Sequence, residues 1–223
     1  MKLSDKAKYW LISILVLTAI LFFDQYLKNW VLHNMYLGET KKMIGNWFFL
    51  HFTENNGMAF GLEIGGKSGK LILTVFRLLA VSGIVWYLFK QIGKKANIGF
   101  IICITLILAG AIGNIIDSLF YGVWYKDFVT YDERGQYLLG RVVDMLYFPI
   151  IETHYPSWFP FWGGQSFTFF RPVFNISDAS ISTGVIAIIV FQKKFFEHEN
   201  NEKNIETELE NSINPESGEI NNQ

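Results

Sequence analysis

ANIGFIICITLILAGAIGNII, residues 96–116, is a run of 21 residues without a charge, closed by Asp117. A helix crossing a hydrocarbon core about 30 Å thick needs about 20 such residues, so this run reads as a membrane span. Three further apolar runs flank it. Residues 71–89 are uncharged except for Arg77, residues 9–23 lie between Lys8 and Asp24, and residues 179–192 end at Lys193 and Lys194. The first and last are short. To reach bilayer length the first must run past Asp24 toward Lys28, and the last must begin near Pro172 and take in Asp178. Carboxylates at a membrane boundary are costly and mark function by default.

The composition agrees with a membrane protein. Of 223 residues, 51% are hydrophobic and only 17% are charged, against roughly 25% charged in a soluble domain. The fold class expected is a mainly α membrane protein with four transmembrane helices, a small extracytoplasmic β-rich region and a disordered cytoplasmic tail. The spans fall at about 9–28, 71–89, 96–116 and 172–192, within one four-helix membrane domain covering residues 1–196. The outer loops fall at about 28–70 and 117–178. Lys2, Lys6 and Lys8, then Lys90, Lys94 and Lys95, then Lys193 and Lys194 share one side of this topology. The positive-inside rule makes that side cytoplasmic, with both termini on it.

Residues 46–60 and 165–174 are aromatic and β-prone, and Asn55, Asn56 and Gly57 break the first, so a small sheet resting on the bilayer is expected. Residues 152–164, with Trp158, Phe159, Phe161 and Trp162 around prolines, read as interfacial. Residues 197–223 carry eight Glu against the single Lys203, which leaves +6 on residues 1–196. With so few apolar residues, this segment is expected to be a disordered tail. The first run ends in Phe22-Phe23-Asp24 rather than a small-residue cleavage site, so it reads as a retained anchor.

Several familiar chemistries are excluded. Gly61 to Ser68 satisfies the P-loop pattern formally, but no buried strand precedes it and a membrane span follows within a few residues. The four histidines are scattered, and Cys103 stands alone in an apolar run. Neither a metal site nor a cysteine nucleophile is expected. Asn175-Ile-Ser177 is a glycosylation sequon in form only, since it lies at a membrane boundary.

What remains is carboxylate and amide chemistry. Asp24 and Lys28 share a helical face at i,i+4, as in a snorkelling pair that ends a span or in a catalytic role. Asn114-Ile-Ile-Asp117 closes the third span and Asn175-Ile-Ser-Asp178 opens the fourth. Helix capping accounts for one polar residue at a helix end; it leaves two Asn-x-x-Asp units at one boundary unexplained. Between them, Asp144 sits in a β-branched, aromatic stretch where aspartate is disfavoured. Two such carboxylates brought close cannot both ionise. They share a proton, and one activates water while the other protonates the substrate, without metal or cofactor. On this reading alone the pair could be drawn from Asp117, Asp144 and Asp178. A small transporter or a proton-relay subunit would use boundary carboxylates as well.

Five motifs occur in order: Asp24-Gln-x-x-Lys28, Asn55-x-Gly57-x-Ala59-Phe60-Gly61, Gly110-Ala-Ile-Gly113-Asn114-x-x-Asp117, Val142-Val143-Asp144 and Phe174-Asn175-x-x-Asp178. Together they resemble the lipoprotein signal peptidase (signal peptidase II) family over roughly residues 10–192. The resemblance implies a bacterial inner-membrane aspartyl endopeptidase with its active site at the outer face. Such enzymes cut diacylglyceryl-modified prolipoproteins before the lipidated cysteine and are blocked by globomycin. Asp144 and Asp178 would then be the catalytic dyad. Asn114 and Asp117 would support it, Asn175 would orient dyad or substrate, and Asn55 and Gly57 would lie in the sheet over the substrate. Asp24 and Lys28 would stabilise the outer end of the first span. No cofactor, metal or nucleic acid is implied; the partners are prolipoproteins and membrane lipid, and the chain is expected to be a monomer. Two departures from the family pattern stand out. Ser118 replaces the usual arginine after Asp117, with Arg141 or Arg171 as candidate substitutes. Ser177 replaces the usual alanine, and its hydroxyl is expected to bond a dyad oxygen.

Overall fold

The computed structural model describes residues 4–56, 66–129, 134–149, 151–154, 156–162, 164–169 and 172–213. Helix α1 runs from Asp5 to Asn34, capped by the Ser4 side chain, which accepts from the Ala7 N–H at 3.2 Å. Helix α2 spans Gly66–Gly93. Helix α3 spans Ile98–Ile116, its first turn capped by Asn97 Oδ1 on the Gly99 N–H. A π-helical turn over Asp117–Tyr121 continues α3 into the short α4, Gly122–Trp124. Helix α5 spans Ile176–Ile213.

Four helical segments are long and apolar enough to cross a membrane: Asp5–Asn34, Gly66–Gly93, Ile98–Trp124 and Ile176–Phe196. The count matches the sequence reading and the boundaries move. The first and third spans run further than expected, so Asp24, Lys28 and Asp117 lie in helix interiors rather than at span ends or in an outer loop. Polar groups that find partners inside the bundle do not terminate a helix. Helix α5 runs on past the fourth span into the acidic segment, to Ile213. Glu and Lys are good helix formers.

Helix α3 is the centre of the bundle: 61% of its apolar window is buried, against 11% for each of the others. Its small residues let α5 approach closely. A Cβ added at Gly110 would stand 2.2 Å from the Ser177 carbonyl oxygen, and one at Gly184 would stand 2.7 Å from that of Cys103. Such contacts replace the hydrophobic drive that lipid removes. Outward-facing Phe22, Ile72, Phe76, Leu79 and Ile189 are exposed, as lipid-facing side chains must be.

A four-stranded antiparallel sheet, ordered β1 (Thr40–Ile44), β2 (Phe48–Asn55), β3 (Val142–Tyr147) and β6 (Val173–Phe174), joins three distant parts of the chain. Strands β4 (Ile151–His154) and β5 (Ser166–Phe169) form a separate hairpin. Leu50, Phe52, Val143 and Met145 pack with Val31, Leu32 and Tyr121 into a core beneath the larger sheet. Strand alternation turns Asp144 to the face opposite Val143 and Met145. Register sets it across from Thr53, and it is buried.

Candidate active site

Two carboxylate groupings form where α1, α3, α5 and β3 meet. The first is centred on Lys28, which is fully buried. Its Nζ lies 2.7 Å from Asp24 Oδ2 and 2.8 Å from Asp117 Oδ2, and donates to Asn114 Oδ1 at 3.3 Å. All three ammonium protons are therefore used. Gln25 Nε2 bridges the same carboxylates, at 3.2 Å from Asp24 and 3.1 Å from Asp117, while its Oε1 accepts from the Tyr121 hydroxyl. Asp24 also accepts from the Ser177 N–H and Asp117 from the Val143 N–H. This buried triad locks α1, α3, α5 and β3 together; it does not snorkel.

The second grouping is Asp144 and Asp178. Asp144 Oδ1 accepts from Asn175 Nδ2 at 2.7 Å, and its Oδ2 accepts from Asn55 Nδ2. Asp178 Oδ1 accepts from Asn114 Nδ2 at 2.8 Å. Asn175 and Asp178 also form a reciprocal capping box. The Asp178 N–H donates to Asn175 Oδ1 at 2.9 Å, and the Asn175 N–H donates to Asp178 Oδ2 at 3.3 Å. Asn175 thus caps α5 and holds the Asp144 and Asp178 carboxylates with one set of bonds. Burial, reinforced by the negative charge of Asp178, pushes Asp144 from 3.8 up to about 7, with the Asn55 bond, the Lys28 charge and the Asn175 bond opposing. Among the described residues neither carboxylate makes an ion pair. Asp178 is half-buried and reachable, whereas Asp144 is closed off.

The signal peptidase II family, described as Signal peptidase (SPase) II, matches residues 16–194. A lipoprotein signal peptidase of Porphyromonas gingivalis is 44% identical over 184 residues, covering 78% of this chain and 80% of its own. One from Amoebophilus asiaticus is 39% identical over 191 residues, covering 84% and 79%. The chain belongs to the signal peptidase II family. A solved bacterial membrane enzyme superposes with a TM-score of 0.55 at 28% identity, covering 82% of this chain and 88% of its own.

Of the residues singled out in this family member's sequence, Asp24, Lys28, Asn55, Asn114, Asp117, Asp144, Asn175 and Asp178 converge on one site. Gly57 lies outside the described residues, as does Arg171. Of the two departures from the family pattern, the expectation about Ser177 needs correction. The Ser177 hydroxyl is buried without a hydrogen bond among the described residues, because α5 is set so close to α3 that it faces Gly113 rather than the dyad. At Ser118 the structure adds a cation that the sequence reading does not name, Arg77 of α2, whose Nη1 donates to Ser118 Oγ at 3.3 Å. Glu54 of β2 was also overlooked. Burial pushes it above the ordinary carboxylate range against the charges of Arg141 and Lys70. A strand of alternating pattern that carries a carboxylate beside Asn55 was the available signal.

Proposed function

We propose that this membrane peptidase removes the signal peptide from diacylglyceryl-modified prolipoproteins, cutting before the lipidated cysteine, with Asp144 and Asp178 as its catalytic dyad. The observation that carries the assignment is the division of the carboxylates. Asp24 and Asp117 share the Lys28 ammonium, while Asp144 and Asp178 are held by amides alone. Amide donors position a carboxylate without fixing its charge, and two neighbouring carboxylates so held keep one proton between them.

Asp144, the more deeply buried, holds that proton. The ionised Asp178 takes a proton from water as the water oxygen attacks the scissile carbonyl carbon, and Asp144 donates its proton to the carbonyl oxygen. In the collapse of the tetrahedral intermediate, Asp144 takes that proton back and Asp178 delivers its own to the departing amine. The C–N bond breaks and the pair returns to one shared proton. Asn175, bonded to both carboxylates, keeps their separation through the cycle. In this reading both termini are cytoplasmic and the sheet and dyad lie at the outer face. The acylated substrate enters sideways from the outer leaflet with its lipid still in the bilayer, and a single chain suffices.

The test is a gel-shift assay in lipid with a diacylglyceryl-modified prolipoprotein, comparing wild type, Asp144→Asn and Asp178→Asn, with and without globomycin. Cleavage by wild type that globomycin blocks and that both variants lose is the expected outcome. Substantial turnover by either membrane-inserted variant would overturn the dyad, and an uncut precursor with folded wild type would overturn the substrate.

A further inference from the structure

The two carboxylate groupings meet in one side chain, Asn114. Its Oδ1 accepts from Lys28 Nζ at 3.3 Å and from Asn175 Nδ2 at 3.1 Å, while its Nδ2 donates to Asp178 Oδ1 at 2.8 Å. Asn114 is buried in the last turn of α3, one helical turn before Asp117, so a single helix face carries both the carboxamide and a carboxylate of the Lys28 triad. The carboxamide thus joins the buried ammonium to a group of the dyad.

Chemistry dictates which way round that carboxamide sits. The two ends of an asparagine side chain have nearly the same shape, but one accepts and the other donates. An ammonium has three donors and no acceptor, so the atom facing Lys28 must be the oxygen. The nitrogen then faces Asp178. Turned over, the carboxamide would set acceptor against acceptor at Asp178 and donor against donor at Lys28. Asn175 does not impose this orientation by itself. Its Nδ2 has two protons for three acceptors: Asp144 Oδ1 at 2.7 Å, Asn114 Oδ1 at 3.1 Å and Val143 O at 3.3 Å. Lys28 has one proton for each of its three acceptors, Asp24, Asp117 and Asn114. Among the described residues, the other bond to the Asp178 carboxylate is the longer one from the Asn175 N–H, at 3.3 Å to Oδ2. The Asn114 bond therefore sets the rotation of the Asp178 carboxylate.

We propose that Lys28 is a positioning residue of the dyad: its ammonium holds the Asn114 carboxamide in the one orientation that presents an N–H to Asp178. The inference rests on the dyad assignment above. It adds a second duty to the triad, whose first is to tie α1, α3, α5 and β3 together. Without the ammonium the carboxamide can turn over, and Asp178 loses the donor at Oδ1. The chemical step then suffers while substrate binding does not, because a displaced reacting group costs up to about 100-fold in rate.

The test is a double-mutant cycle on Lys28 and Asn114, read as kcat and KM for prolipoprotein cleavage by the full chain in liposomes, below the melting temperature of every variant. Lys28→Met should lower kcat about 10–100-fold and hold KM within about twofold. Asn114→Ala should do the same, since it removes the N–H that Lys28 aims. The two losses should not multiply: adding Lys28→Met to Asn114→Ala should change kcat by no more than about twofold. Losses that multiply, or a Lys28→Met enzyme with the kcat of wild type, would leave Lys28 a purely structural residue and overturn the proposal. If Lys28→Met fails to insert, the cycle is run with Asp117→Asn present throughout. That change leaves the net charge of the triad in the Lys28→Met form as it is in wild type, and the same criteria decide. Cleavage retained by Asp178→Asn would overturn the dyad reading and this inference with it. Cleavage lost in Asp178→Asn, with losses that multiply in the cycle, would overturn this inference alone.

Discussion

Replacing Lys28 by methionine tests whether the buried triad is the structural keystone of the site. Methionine keeps most of the side-chain length and removes the ammonium. The loss leaves Asp24 and Asp117 facing each other at full burial, joined only by Gln25. Two charge-assisted bonds at 2.7 and 2.8 Å disappear, each worth roughly 1.5–3 kcal/mol. Breaking a buried ion pair from one side costs about 3–5 kcal/mol, because the partner charge stays buried. The variant has one escape, to protonate a carboxylate. At pH 7 that costs about 4 kcal/mol for a group of ordinary pKa near 3.9, so it offers little relief at neutral pH and more in acid. The expected result is a loss of about 3–5 kcal/mol at pH 7, on the order of 10 °C in melting temperature for a chain of this size. The loss should shrink as pH falls toward 5. Adding Asp117→Asn should recover part of it, since the two sites are coupled. Thermal melts of detergent-solubilised protein at a series of pH values, followed by tryptophan fluorescence, supply the measurement. A Lys28→Met variant that melts with wild type at pH 7, or a loss that grows in acid, would refute the reasoning.

Three other consequences can be measured. Ser177→Ala removes a buried hydroxyl that has no hydrogen-bond partner among the described residues, and should leave stability unchanged or raise it by up to about 1 kcal/mol; a clear drop in melting temperature would contradict this. Gly110→Ala and Gly113→Ala should both destabilise, by about 1–3 kcal/mol or more, and differ in rescue. The Gly113 Cβ would meet Ser177 Oγ at 2.0 Å whereas the Gly110 Cβ would meet backbone at 2.2 Å, so Ser177→Ala should partly rescue only Gly113→Ala in thermal melts. Asn55→Ala removes a bond that favours ionised Asp144. The carboxyl then holds its proton to higher pH, and the alkaline limb of cleavage should move upward relative to wild type; a downward move would refute Asp144 as the proton holder.

The four spans were legible in the chain because hydrophobic length is a local property, counted along consecutive residues. The motif asparagines and aspartates were legible because burying them near a bilayer has no cheap structural explanation. Their division of labour was not legible from the residues taken singly; in the sequence it came only from the resemblance of the ordered motifs. Asp117, Asp144 and Asp178 are equivalent carboxylates in one dimension. Only the fold shows that Asp117 shares an ammonium with Asp24 while Asn175 holds Asp144 and Asp178.

That division depends on close helix contact at Gly110 and Gly113 and on β3 entering the sheet beside β2, which brings Asn55 to Asp144 across 89 positions of sequence. Arg77 tells the same story. In the sequence it is one charge interrupting an apolar run, and its meaning comes from the helix rotation that carries it to Ser118. The length of an apolar run decides which segments enter the membrane. Electrostatic pairing falls off over a few ångströms, so which charge meets which is decided only when the helices pack.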